Sequence, residues 1–232
     1  MSRSLEGRVV VITGATGGLG QVAAREFASR GASLVLLGSD AARLEEVGRV
    51  LNLPEARCLL HVADLREAEE VRGAAQVVSD KFGAAHALLH LVGGWTGGKT
   101  LTELEPSDLQ AMLGQHVWTS LHLLQVFAPQ MIGSGWGRAI MVSAPGAVSP
   151  TGRTGAYVAA KAAQEALWLT LAQETREQNV TANVLQVRSI GARAEPRAVT
   201  TPEEIVAAML YLCSEEAAMV TGARLPLFGA SA

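Results

Sequence analysis

The sequence predicts an α/β fold: a doubly wound parallel sheet of about seven strands with helices on both faces. Three observations predict it. Apolar runs of strand length, rich in Val, Ile and Leu, recur along the 232 residues; segments of helical periodicity separate them; and the first run passes straight into a glycine-rich turn at the head of a helix. Strands buried on both faces appear as continuous apolar runs, whereas a sheet with one wet face alternates. No composition break, repeat or low-complexity tract interrupts the chain, so residues 1–232 are expected to form one domain.

The elements follow in order. Strands are expected over residues 9–12, 34–37, 58–62, 87–92, 139–142, 181–187 and 224–227, and helices over 19–29, 41–52, 67–81, 106–131, 155–177 and 202–213. Helix boundaries carry their own chemistry. Thr201 supplies an N-cap before Pro202, with Glu203 and Glu204 in the first turn, and Glu105-Pro106-Ser107 opens an earlier helix in a similar way. Phe82-Gly83 stops the third helix.

Composition narrows the function classes. Hydrophobic residues make up 49% and charged residues 18%, which fits a globular protein with a large core. A net charge of -3 provides no basic field for nucleic acid. Cys58 and Cys213 are too few for a disulfide framework and have no metal-ligand spacing, which points to core thiols in a reducing compartment; no metal is expected. The apolar run "VVVIT" is far below the roughly 18 residues of a membrane span, and no secretory signal is visible, so a cytoplasmic location is expected.

Two motifs carry chemistry. In "VVVITGATGGLG" a buried strand runs into Gly14, Gly18 and Gly20 at the start of a helix. The unpaired N–H groups of a helix N-terminus attract phosphate, and glycines let a pyrophosphate approach the backbone. A strand-to-helix turn without a ligand is the plainer alternative. In "YVAAK", Tyr157 and Lys161 stand four residues apart and share a helix face. An ammonium beside a phenol favours the phenolate and brings it toward the working range of a general acid/base. The alternative is an amphipathic helix with both groups at its surface.

With the spacing TGxxxGxG, Ser143 fourteen residues before Tyr157, and Lys161 behind it, the chain resembles the short-chain dehydrogenase/reductase family, single-domain branch. The resemblance extends over essentially the whole chain, and the combination of motifs makes it specific. It implies a Rossmann fold that binds NAD or NADP and interconverts a carbonyl and an alcohol in a small-molecule substrate. By this likeness Tyr157 exchanges a proton with the substrate oxygen, Lys161 also holds the nicotinamide ribose, and Ser143 bonds the substrate carbonyl. Cofactor contacts are implied for Gly14, Thr16, Gly18, Leu19, Gly20, Ser39, Asp64, Leu65, Gly93, Tyr157, Lys161 and Ile190. Asp64 would accept from the adenine amino group, or would instead cap the next helix. Relatives commonly form homodimers or homotetramers through the two long helices and the last strand.

The sequence also departs from the family pattern. His90-Leu91-Val92-Gly93 replaces Asn-Asn-Ala-Gly, and His116 stands where an asparagine normally anchors a water linked to the lysine. An imidazole can both donate and accept, so His116 is expected to hold that water, or to be an ordinary helix histidine. The usual second serine is Ala144, Val187-Arg188 replaces Pro-Gly, and the lid between Arg188 and "TPEE" is short. "GGWTGGK" is expected to form a flexible, indole-bearing wall; Trp95 is equally placed for a subunit contact. At the end of the second strand Gly38 and Ser39 occupy the acid and arginine positions that select NAD or NADP, so the choice stays open; Arg43 reaches a phosphate only if the loop bends toward it. The competing functions are a non-catalytic dinucleotide-binding or assembly protein, and a scaffold that binds no dinucleotide.

Overall fold

The computed structural model describes residues 4–192 and 199–228. Part of the short lid stretch, residues 193–198, lies outside the described residues. Seven parallel strands form one sheet in the order β3-β2-β1-β4-β5-β6-β7. They are β1 Val9–Thr13, β2 Ser33–Gly38, β3 Cys58–Val62, β4 Ala87–His90, β5 Gly137–Ser143, β6 Val180–Gln186 and β7 Arg224–Pro226. Helices α1 Gly18–Ser29, α2 Ala41–Leu51, α3 Ala68–Phe82, α4 Pro106–Leu113, α5 Thr119–Gly133, α6 Gly155–Glu174 and α7 Pro202–Leu212 connect them.

Every residue of β1, β4 and β6 is buried, which is why their sequences carry no polar alternation. One core packs α1, α2 and α7 against the sheet through residues such as Phe27, Leu36 and Met209. The other packs α3, α5 and α6 through Val78, Phe127 and Trp168. The β7 edge is blunted: the strand is three residues long and ends in Pro226, a residue that cannot donate to a ladder.

The predicted elements are all present, with three instructive changes. The strand expected over 87–92 ends at His90, because the Leu91 N–H leaves the ladder to donate to Thr13 Oγ1 at 3.1 Å. The helix expected over 155–177 ends at Glu174, where Thr175 folds back, its hydroxyl 2.8 Å from Leu171 O and 2.9 Å from Val180 O. The helix expected over 106–131 is interrupted by a π-helical turn, Gly114–Trp118, between α4 and α5. Widened turns of this kind are frequent at functional sites, and this one carries His116.

The strand order reverses at β1, which pairs with β2 on one side and β4 on the other, with Thr13 opposite His90. Neighbouring connections leave this point on opposite faces and open a crevice beyond the strand ends. The glycine turn after β1, the loop after β4, and Ser143 at the end of β5 all reach that edge. Among the described residues no helix is long and apolar enough to cross a membrane.

Candidate active site

Two cavities lie at this edge, and Gly14 lines both. The larger, about 560 Å³, contains Gly18, Leu19, Gly20, Gly93, Ser143, Tyr157, Lys161 and Ile190. The smaller, about 430 Å³, contains Thr16, Ser39, Asp64 and Leu65. Ser143, Tyr157 and Lys161, expected at the reacting centre, thus gather in one space, and the residues expected around an adenosine in the other; His116 lines neither.

The glycine turn has a conformation that suits a phosphate. Gly14 has φ +66°, and a Cβ there would stand 3.1 Å from the Leu91 backbone. A Cβ on Gly20 would fall 2.3 Å from Gly14 O, so the helix start sits directly on the turn. Gly18, in contrast, has nothing within 4 Å of its Cβ direction, which leaves room beside the backbone. The N-cap of α1 is Gly17, and no side chain accepts from the N–H groups of the first turn. Open space, free donors and a helix N-terminus together fit a dinucleotide pyrophosphate.

On α6, Tyr157 is half-buried and Lys161 only 4% exposed. The Lys161 ammonium donates to Val142 O and to Gln164 Oε1, both at 2.9 Å. Gln164 in turn donates to Ser120 Oγ at 2.8 Å. Two of the three Lys161 donors are therefore engaged, which leaves one for the cavity it lines. Burial lowers the Lys161 pKa to about 8, with Glu165 opposing the shift.

This corrects the expectation that the lysine draws the phenol pKa down: burial pushes Tyr157 up from its ordinary value. Desolvation penalises the phenolate, so the side chain is a neutral O–H donor at physiological pH. Among the described residues Ser143 Oγ is buried with no hydrogen-bond partner, although a buried hydroxyl normally has one.

His116 lies behind Tyr157, its ring edge-on with centroids 5.7 Å apart. Its Nε2 is 3.0 Å from Gly94 O; a carbonyl can only accept, so Nε2 carries the proton and Nδ1 is a bare acceptor. That Nδ1 is buried without a partner. Through Nε2, His116 clasps the loop after β4. Asp64 likewise has its carboxylate taken up by Arg66, at 2.9 and 2.5 Å among other contacts, and accepts from the Arg66 N–H at 3.0 Å. It lines the smaller cavity, but the helix cap given as its alternative is not made: the N-cap of α3 is Glu67, with no side chain capping it.

Sequence reasoning missed the buried polar groups under α6. Glu165 is 1% exposed and accepts from Gln186 Nε2 at 3.1 Å and Arg224 Nε at 2.5 Å. Gln164 and Glu165 follow Lys161 at three and four residues, so extending the Tyr157–Lys161 stripe along the helix would have found them. Arg43, which the sequence left dependent on loop shape, reaches across to Thr16 O at 3.1 Å.

His90 is 1% exposed, 2.9 Å from Thr13 Oγ1 through Nδ1 and stacked on Trp168. Burial, then Lys161, then His116 lower its pKa to about 3; burial and Lys161 lower that of His116 to about 4. Below pH 6.5 the unfolded imidazoles take up protons that the folded ones refuse, so stability present at neutral pH is lost as the pH falls. Urea midpoints should therefore decline from pH 6.5 toward pH 4, and less steeply for His90→Asn. A midpoint independent of pH in that window would contradict the assignment.

The family model for short chain dehydrogenases matches residues 8–198. Among curated proteins the chain is 28% identical to a 2,3-dihydroxy-2,3-dihydro-p-cumate dehydrogenase of Pseudomonas putida, covering 98% of this chain and 95% of the relative. It is also 28% identical to a D-beta-hydroxybutyrate dehydrogenase of Rhizobium meliloti, over 96% and 97%. Among solved structures it superposes on L-sorbose reductase of Gluconobacter frateurii, complexed with NADPH and L-sorbose, with TM-score 0.89 and 26% identity over 99% and 98% of the two chains.

Proposed function

The chain belongs to the short-chain dehydrogenase family and is an NAD(P)-dependent oxidoreductase acting on a small molecule, and from that premise we propose that it interconverts a carbonyl and an alcohol with Tyr157 as general acid/base. One observation carries the reading: the half-buried Tyr157 shares a cavity with Gly14, Gly18 and Gly20, the buried ammonium of Lys161 and the orphaned hydroxyl of Ser143. The chemistry a nicotinamide cofactor supplies when bound there is hydride transfer.

The protein's own residues do the rest. Gly14, Gly18, Leu19 and Gly20 hold the pyrophosphate, while Thr16, Ser39, Asp64 and Leu65 surround the adenosine. Gly93 and Ile190, which line the same cavity, would hold the nicotinamide. Ser143 donates a hydrogen bond to the substrate oxygen and stabilises the charge that builds on it. Tyr157 gives that oxygen its phenolic proton, and Lys161 compensates the phenolate left behind while holding the ribose. His116 supports Tyr157 from behind and fixes Gly94. We place the protein in the cytoplasm as a homodimer or homotetramer; exposed Trp118, at 52%, suits a subunit contact.

Calorimetric titration with NADH and NADPH separately tests the first step. Saturable binding of at least one is expected, and reduction of at least one member of a ketone panel should follow. No heat with either form would overturn the proposal.

A further inference from the structure

The loop after β4 carries Trp95, whose indole is 64% exposed yet lines the cavity that contains Ser143 and Tyr157. A lone exposed aromatic is ordinary on a protein surface. This one is held in place. Gln115 Nε2 donates to Gly93 O and His116 Nε2 to Gly94 O, both at 3.0 Å. At the far end Gly98 N donates to Arg153 O at 2.8 Å, and Arg153 Nη1 returns a bond to Gly98 O at 3.0 Å.

The glycines make the seat. A Cβ on Gly97 would fall 2.4 Å from Trp95 Cζ2 and 2.9 Å from Cε2, so the indole rests on bare backbone. Gly98 has φ +97°, and Arg153 adopts φ +63°, a left-handed conformation uncommon for its residue type. The loop is clasped by hydrogen bonds at both ends. The rest of the cavity offers Leu91, Val92, Val142, Val187, Ile190 and Pro202, with Arg188 and Ser189 beside them, and among the described residues none that lines it is a carboxylate.

We propose that Trp95 is the stacking platform for the substrate, and that the substrate is a planar, conjugated ring bearing the reducible carbonyl. An indole fixed at the cavity wall loses little freedom when a flat ring lies on it, so stacking is favoured over contact with a puckered ring of equal size. The inference rests on the carbonyl reductase reading given above and names its substrate class.

Two probes isolate planarity: acetophenone and cyclohexyl methyl ketone, which share a skeleton and differ in the flatness of the ring. Calorimetry on the full chain loaded with oxidised dinucleotide measures ketone binding without turnover. Acetophenone should bind about tenfold more tightly, Trp95→Phe should keep part of that ratio, and Trp95→Ala should bring it to about unity. An unchanged ratio in Trp95→Ala, no preference in the parent, or no acetophenone binding overturns the platform. So does a fall in oligomer mass for Trp95→Ala with ketone discrimination intact. Parallel turnover with reduced dinucleotide separates the two claims: binding that depends on Trp95 without reduction sinks the reductase reading alone, whereas reduction without planar preference sinks the platform alone.

Discussion

Tyr157→Phe is expected to lower the rate of carbonyl reduction about 10²- to 10⁴-fold, the range that a positioned general acid contributes. The ring itself should stay where it is. Tyr157 packs against the small cluster of Met112, Ala156 and Ala160 and meets the edge-on ring of His116, and phenylalanine makes the same contacts. Dinucleotide affinity should therefore remain within about threefold, because the change removes a hydroxyl and leaves the ring in place. Direction matters as well. Since burial raises the phenol pKa, reduction needs no prior ionisation, whereas alcohol oxidation requires the phenolate and should accelerate as the pH rises. Steady-state kinetics in both directions, with calorimetry for the dinucleotide, check all three expectations.

Among the described glycines, Gly20→Ala is expected to be the most damaging substitution. Its Cβ would stand 2.3 Å from Gly14 O, 2.7 Å from Ala15 Cα and 2.9 Å from Ala15 C. All three are backbone atoms, so no side chain can swing aside; the turn must move off the helix. Overpacking of this kind costs on the order of 1–3 kcal/mol, and displacement of the turn should weaken dinucleotide binding at least about tenfold. Gly18→Ala is the control, because its Cβ meets nothing within 4 Å. It should leave the urea midpoint unchanged and weaken only dinucleotide binding, by intruding on the pyrophosphate's space. Equal stability for both variants and the parent would contradict the packing argument.

The fold was legible because burial on both faces writes itself into uninterrupted apolar runs such as Val9–Thr13, and because caps such as Thr201-Pro202 are local. The Tyr157–Lys161 pair was legible for the same reason: four residues on a helix fix a shared face without knowledge of the rest of the chain. What escaped depended on distant partners. The π turn at Gly114–Trp118 is where His116 bonds Gly94, 22 residues away in sequence, and no local pattern announces it. The clasp of Arg153 on Gly98 spans 55 residues, and the Arg224–Glu165 bond 59. The direction of the Tyr157 shift was misjudged because spacing reveals a neighbouring charge but not the desolvation that outweighs it.

The central claim is that this cavity moves a hydride and a proton onto one carbonyl. Reduced dinucleotide carrying deuterium at the transferable C4 position, mixed with the protein and a panel of ketones, measures this directly by mass spectrometry of the alcohols. The account predicts deuterium on the carbinol carbon, formed far more slowly by Tyr157→Phe. Equal labelling rates for the two proteins, or no labelled alcohol from any ketone, would contradict it.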